Sequence, residues 1–574
     1  MQLQNLDWAI IIAVLLFIVG TGLYLNRRAS KDSSGFFLGN RNMPWWLLGT
    51  SMVATTFAAD TPNLVTGLVR QHGVAGNWGW WAFLITGMLS AFIYAKLWRR
   101  LGVTTDIEFY ELRYSGKPAS FLRGFRAVYI GVFFNMMVMA NVTLALIKYG
   151  NVLFGISPIL LVTIAGIVTV LLSASGGLLG VLITDFFLFG LAMVGAIAVA
   201  IFAVSLPEVG GLAQMMSHPA VIEKSSFLPD MRDPSQYVPL LLIPLLVQWW
   251  AAWYPGAEPG GGGYVAQRML AAKDEKNATK AAVFFNVAHY ALRPWPWILV
   301  ALASLIVYPD LASIKTALPH IDEGLIDHDL AYPAMLIFLP SGLLGLTVAS
   351  ILAAYISTIS TMLNLGSSYV VNDVYSRFIN RNASEARKIM AARISTVIMM
   401  VGAALLALVL QSATQAFHLL LAVGAGTGFL FFARWFWMRI NAWSEISAMV
   451  FSLGVAGWLE FFGPDGLESW QKFLLSVGLT TVGWILVTLL TAPTSPEKQR
   501  SFKASIKAAG AGEGHDLRSG IIAALSASVA VYGLLFATGS ILYGNMVPAL
   551  VFGCIALAGG LICWRQTQAG SRKT

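Results

Sequence analysis

The segment Ala354-Tyr355-Ile356-Ser357-Thr358-Ile359-Ser360-Thr361-Met362-Leu363-Asn364 sets four hydroxyls into an apolar run. Ser357, Ser360 and Thr361 are spaced i, i+3, i+4, so a helix carries them on one face, with Thr358 beside it. A hard cation such as Na⁺ takes oxygen ligands, and neutral hydroxyls and carbonyls provide them without burying an unpaired charge. The same hydroxyls could instead bond back to the preceding turn or tie helices together, and periodicity does not choose between the two. Ionisable residues in apolar surroundings are the second signal. Asp185 stands in Ile183-Thr184-Asp185-Phe186. Asn286, His289 and Arg293 are spaced i, i+3, i+7 and share a helix face. The planar fork of Arg293 suits a carboxylate. The plainer alternatives are that Arg293 pairs internally with Asp60 or Glu258 and that His289 is a hydrogen-bonded packing residue.

The elements that must position these residues are membrane helices. The chain has 574 residues, 57% hydrophobic and only 11% charged, with a mean hydropathy of +0.70. A soluble domain carries roughly 25% charged residues, so a soluble enzyme, a nucleic-acid-binding protein and a disordered chain are excluded. Cys554 and Cys563 both lie in the last hydrophobic run, which leaves no disulfide framework. A bilayer core about 30 Å thick needs roughly 20 apolar residues. Fifteen runs qualify as spans 1–15: 8–25, 44–69, 77–98, 127–150, 157–175, 178–205, 237–257, 279–308, 335–372, 389–411, 415–437, 443–463, 471–492, 521–542 and 546–564. Gly176-Gly177 and Tyr543-Gly544-Asn545 mark the narrowest splits. The first run, followed by Arg27 and Arg28, is expected to be a retained span and not a signal peptide. Basic residues cluster at the ends of odd spans, as at Arg27–Arg28, Arg99–Arg100, Arg268–Lys273, Arg377–Arg381 and Lys498–Lys507. The positive-inside rule then predicts an outer N-terminus and a cytoplasmic C-terminus. It also assigns the net charge of +9 to loops facing anionic lipid. Loop 493–520 is expected to be a linker. The acidic loop of Asp322, Glu323, Asp327, His328 and Asp329 is expected to be solvated rather than a metal site.

Two spans carry helix breakers. Span 2 contains Met52-Val53-Ala54-Thr55-Thr56-Phe57-Ala58-Ala59-Asp60-Thr61-Pro62-Asn63, and span 7 contains Trp253-Tyr254-Pro255-Gly256-Ala257-Glu258-Pro259 followed by Gly260 to Gly263. Pro removes a donor and clashes with the preceding turn, and a glycine run holds a helix poorly. Broken helices in a membrane line cavities or are buried in protein. Breaks at corresponding places in two halves point to a transporter site. The two breaks lie five spans apart, an odd number, so the halves have opposite topology.

With these residues in place, the chain resembles the solute:sodium symporter (SSS) family, the group of the sodium/glucose cotransporters, over about residues 8–492. The resemblance rests on Gln267-Arg268-Met269-Leu270-Ala271-Ala272-Lys273, on the stretch from Gly176-Gly177 to Thr184-Asp185, and on the Ser/Thr run of span 9. It implies an all-α polytopic fold with a ten-helix core of two inverted five-helix repeats, leucine-transporter-like. The core would be 44–438, with 1–43 and 439–574 peripheral within a single membrane domain, 1–574. It implies a first Na⁺ site at Ala54, Phe57, Ala354, Ser357 and Thr358, and a second at Asp185, Ser357, Ser360 and Thr361, so one or two coupling ions. For the solute it implies Thr56, Asp60 and Thr61, an aromatic gate at Trp253 or Tyr254, and a position near His289, with Asn286 and Arg293 on the same face. Thr56 and Thr61 stand where sugar-transporting members carry Asn and Gln, so the resemblance leaves the identity of the solute open. The function implied is Na⁺-coupled import of a small polar organic solute (sugar, sugar acid, carboxylate or amino acid) across the inner membrane by alternating access, and not an enzyme. Proton coupling and a transporter-fold solute sensor are the alternatives. The expected partners are the solute and the bilayer, with no nucleic acid and no obligate protein partner.

Overall fold

A computed structural model describes residues 3–26, 37–251, 258–410, 421, 424, 426–464, 466–507 and 513–571. Trp253 and Tyr254 lie outside the described residues. Every named element among them is helical, and the one β-bridge pairs Met43 with Ala272. Met43 N donates to Ala271 O (3.1 Å) and Lys273 N to Met43 O (3.0 Å), which joins the start of span 2 to the segment that follows span 7.

Among the described residues, ten helices are long and apolar enough to cross a membrane. They correspond to spans 3, 4, 6, 8, 9, 10 and 12–15. Span 2 instead forms two helices of 12 residues, Trp45–Thr56 and Thr61–His72. Phe57, at φ −84° and ψ 67°, ends the first. Pro62 starts the second, where its missing N–H is no loss. Span 7 breaks up in the same way. Short helical pieces run from Pro234 to Trp250, and a new helix begins at Gly263–Ala271. Gly260, Gly261 and Gly263 take φ of +90°, +68° and +51°, conformations that cost a side-chain-bearing residue dearly. A Cβ on Gly260 would meet Tyr94 at 3.2 Å and Trp435 at 3.3 Å.

Three expectations need correction. The split at Gly176-Gly177 does not interrupt the backbone: Pro158–Val204 is one helix of 47 residues. Glycine weakens a helix by about 1 kcal/mol relative to alanine but, unlike proline, removes no donor. Loop 493–520 is more than a linker, because Pro496–Ile506 is a helix. Its Phe502 is buried against Phe109 and Trp435 (centroids 5.5 and 6.0 Å), and Arg113 lies 5.4 Å above its ring. Nor do all basic residues face lipid from loops, since Arg113, Arg126, Arg268 and Arg434 are buried. Arg434 pairs with Glu445 (3.3 Å) and stacks on Phe109, Tyr110 and Phe431.

Span 9, which carries the hydroxyl face, is fixed at both ends. At its start the carboxylate of Asp7, from span 1, accepts from the amides of Gly342 (2.7 Å) and Gly345 (2.8 Å) and from Ser341 Oγ (3.1 Å). It thereby caps orphan donors at a helix N-terminus from another helix. At the other end Arg123 joins Glu111 (2.8 Å) and Asp373 (2.7 Å), and Arg377 joins Glu111 (2.9 Å). Burial pushes the Glu111 carboxyl up, but donors from Arg377, Ser120 and Arg123 outweigh it and hold the group down at about 2. Because the folded value lies below the ordinary 4.5, this contribution to stability is complete above that pH and drains away as pH falls toward 2. Glu111→Gln is expected to flatten that part of the melting-temperature profile between pH 5 and pH 3; an unchanged slope would exclude Glu111 as its source.

Candidate functional site

The break in span 2 leaves the carbonyl end of Trp45–Thr56 without its next turn, and span 9 closes on that end. Thr358 Oγ1 donates to Thr55 O at 2.9 Å. Thr55 Oγ1 donates to Ser51 O at 2.8 Å and lies 3.2 Å from Thr361 Oγ1. Ala54 O accepts from Phe57 N at 3.1 Å, as the chain turns away from the helix. A hydroxyl that gives its proton to a carbonyl keeps its lone pairs, so Thr358 can offer oxygen to a cation while tying the two helices. Ser357 behaves alike: its Oγ donates to Asp185 Oδ1 at 2.5 Å, and Ser51 Oγ donates to Oδ2 at 2.5 Å. Ala54, Phe57, Ala354, Ser357, Thr358, Ser360, Thr361 and Asp185 are all buried. The donor set is oxygen throughout, which fits Na⁺ and other hard cations.

The expected solute residues divide into two groups. His289, Arg293 and Thr56 come together: His289 Nδ1 lies 3.0 Å from Thr56 Oγ1, and Arg293 Nη1 donates to Thr56 Oγ1 (3.2 Å) and Val53 O (3.4 Å). Arg293 also lies over the rings of Trp297 and Phe57 (5.3 and 5.9 Å). These contacts set Arg293 against the carbonyl end of the break. A turn of π-helix at Ala288–Leu292, just before Pro294, turns His289 toward this end. Asn286 Nδ2 donates to Ala282 O (2.7 Å), while no donor among the described residues reaches its Oδ1. Asn286, His289, Tyr290, Tyr264, Thr56 and Thr86 line a small cavity of about 30 Å³. The second group, Asp60 and Thr61, lies across the break: Asp60 Oδ2 accepts from Asn141 Nδ2 (2.6 Å), and Thr61 Oγ1 donates to Thr56 O (3.3 Å).

Sequence reading missed Ser51, Thr55 and Arg268. Ser51 and Thr55, at i and i+4 in a run of small residues, were open to the same face argument as span 9. Arg268 is fully buried and donates to Ser51 Oγ and Thr361 Oγ1, both at 3.1 Å. As one arginine in a basic segment it gave no signal of its own.

An interrupted helix whose free carbonyl end is tied to hydroxyls beside a buried carboxylate, in an all-helical membrane fold, marks a cation-coupled secondary transporter. A model of the sodium:solute symporter family matches residues 36–454, and the chain belongs to that family. It is a multi-pass, sodium-coupled symporter and not an enzyme. It is similar to a sodium/glucose cotransporter of Vibrio parahaemolyticus, 26% identical over 510 residues (85% of this chain, 91% of that one). It is also similar to the sodium/sialic acid symporter SiaT of Proteus mirabilis, 24% identical over 533 residues (88% and 98%). Its fold matches the substrate-bound outward-open structure of a Na⁺-coupled sialic acid symporter with a TM-score of 0.68 at 21% identity, covering 86% of this chain and 99% of that one. The expected leucine-transporter-like class of two inverted repeats agrees with this likeness.

Proposed function

We propose that this symporter holds Na⁺ between the carbonyl end of the first half of span 2 (Ala54, Phe57) and span 9 (Ala354, Ser357, Thr358), and uses it to import a small polar organic solute. The observation that carries the reading is the 2.9 Å bond from Thr358 Oγ1 to Thr55 O, which sets span 9 against the break. A bound cation would hold the two helices together and order residues 57–60 for the solute. The glucose and sialic acid in the names of the relatives support a sugar or sugar acid, with a carboxylate or amino acid in the same chemical range. The solute chamber is the region of Thr56, Asn286 and His289, and it opens when the helices part. Arg293 positions the break. The core is 44–438, with 1–43 and 439–574 peripheral. The protein lies in the inner membrane with its N-terminus outside and its C-terminus in the cytoplasm, as the basic clusters support.

One charge crossing 100 mV gives roughly 2.3 kcal/mol, and a tenfold Na⁺ gradient adds about 1.4 kcal/mol. One ion therefore sustains an accumulation of a neutral solute of order several hundredfold. The test is uptake into proteoliposomes under an imposed Na⁺ gradient or an imposed proton gradient, across a library of sugars, sugar acids, carboxylates and amino acids. Uptake driven by Na⁺ alone is the expected result, and uptake driven by protons alone would refute it. His289→Ala removes a polar group from the chamber wall, a loss of order 1–1.5 kcal/mol. The KM for the solute is expected to rise about tenfold, with the Na⁺ dependence unchanged. A shift in Na⁺ dependence instead would move His289 from the solute to the ion.

A further inference from the structure

The surroundings of Asp185 hold one cation already, and it belongs to the protein. Arg268 lies on the helix Gly263–Ala271 that follows the break in span 7, with none of its surface exposed. Its Nη2 donates to Ser51 Oγ and Thr361 Oγ1, both at 3.1 Å, its Nε to Ser51 Oγ at 3.3 Å, and its Nη1 to Gln267 Oε1 at 2.7 Å. Ser51 passes this charge on, because its own proton goes to Asp185 Oδ2 at 2.5 Å. Ser357 covers the other carboxylate oxygen at 2.5 Å. Thr361, which would ligate a second ion, accepts from Arg268 Nη2 (3.1 Å), so Arg268 takes up a lone pair that a second ion would need.

We propose that Arg268 is a tethered cation that takes the place of a second Na⁺ at Asp185, so that the chain binds one Na⁺ while Arg268 is seated. This rests on the sodium reading given above. Charge gives the same answer as geometry. Asp185 and Arg268 together are neutral, so one Na⁺ on the uncharged ligands of the first site already leaves one net positive charge, and a second Na⁺ would leave two, which is costlier still. Arg268 also lies on the helix Gly263–Ala271 that follows the break at span 7, and movement of such broken segments opens and closes transporters of this kind. Its withdrawal would restore the bare carboxylate and free Thr361 and Ser51 together. Arg268 is thus a positioning residue that sets the ion count by occupying acceptors. It is not itself a ligand of Na⁺.

The experiment is equilibrium binding of radioactive Na⁺ to the purified full-length protein, without transport. Wild type is expected to bind one ion per chain. Arg268→Gln is expected to bind two, because a neutral side chain no longer balances Asp185. Arg268→Gln combined with Asp185→Asn is expected to return to one, and Arg268→Lys, which keeps the charge, to stay at one. Wild-type protein that binds two ions overturns this inference alone, whatever the variants do. Arg268→Gln that binds only one overturns it too. Wild type that binds none overturns both this inference and the sodium reading on which it rests.

Discussion

Lys148→Met is expected to destabilise the protein by about 3–5 kcal/mol, seen as a fall in melting temperature of about 3–4 °C. Lys148 Nζ lies 2.7 and 2.9 Å from the two oxygens of Asp329, and neither side chain has any exposed surface. Each charge was taken out of water because the other is there. Removing only the lysine leaves a buried carboxylate without its counter-charge, and the cost is mostly that of the orphan rather than the strength of the bond. The double variant Lys148→Met, Asp329→Leu removes both charges and is expected to recover most of the loss. That recovery separates an ion pair from simple loss of packing. A single variant that melts within a degree of the parent would show that the pair does not hold the segment around Asp329 to span 4. This pair is also where sequence reading failed most clearly. Asp329 was grouped with a solvated acidic loop, and Lys148, a lone charge in the apolar run Asn135–Phe154, was passed over. Such a residue signals a buried partner, but its partner is 181 positions away, and no local pattern joins them.

Ser357→Ala is expected to raise the Na⁺ concentration for half-maximal stabilisation by roughly 10- to 100-fold, the effect of losing about 1.5–3 kcal/mol of interaction with a charged group. Ser357 is the chain neighbour of Thr358, which bonds Thr55 O at the break in span 2. Its proton goes to Asp185, so its oxygen remains for the ion. Alanine removes the candidate ligand and one donor to the carboxylate in a single step. Ser357→Thr keeps the hydroxyl and is expected to stay within a few-fold of wild type. Equal Na⁺ curves for wild type and Ser357→Ala would remove Ser357 from the ion site.

What could be read from the chain alone follows from the range of the physics. Proline and glycine act within a turn or two, so the breaks at Phe57–Asp60 and around Gly260–Gly263 were legible from residue types. The hydroxyl face of span 9 was legible because helical spacing fixes it. The family resemblance supplied what spacing could not, namely that the break in span 2 is to be sought against span 9, where Thr358 bonds Thr55 O. The contacts that decide chemistry cross the whole fold. Ser51 and Asp185 are 134 positions apart, and Arg268 and Ser51 are 217 apart. Arg268 was counted as one more basic residue beside the membrane, whereas its place is against the carboxylate. Phe502 was assigned to a linker because a single phenylalanine in a polar segment gives no periodicity, yet it anchors a helix to Phe109 and Trp435.

A small cation bridging the interrupted helix and span 9 stabilises the state in which they touch, and a ligand that binds only the folded state adds about 2.7 kcal/mol when present at 100 times its Kd. The direct measurement is the melting temperature of purified wild-type protein titrated with NaCl at constant ionic strength, with KCl and choline chloride as references. A saturable rise with Na⁺, absent with K⁺ and choline and displaced to far higher concentration in Ser357→Ala, is the expected result. Identical melting temperatures in all three salts would contradict a sodium ion held between these two helices.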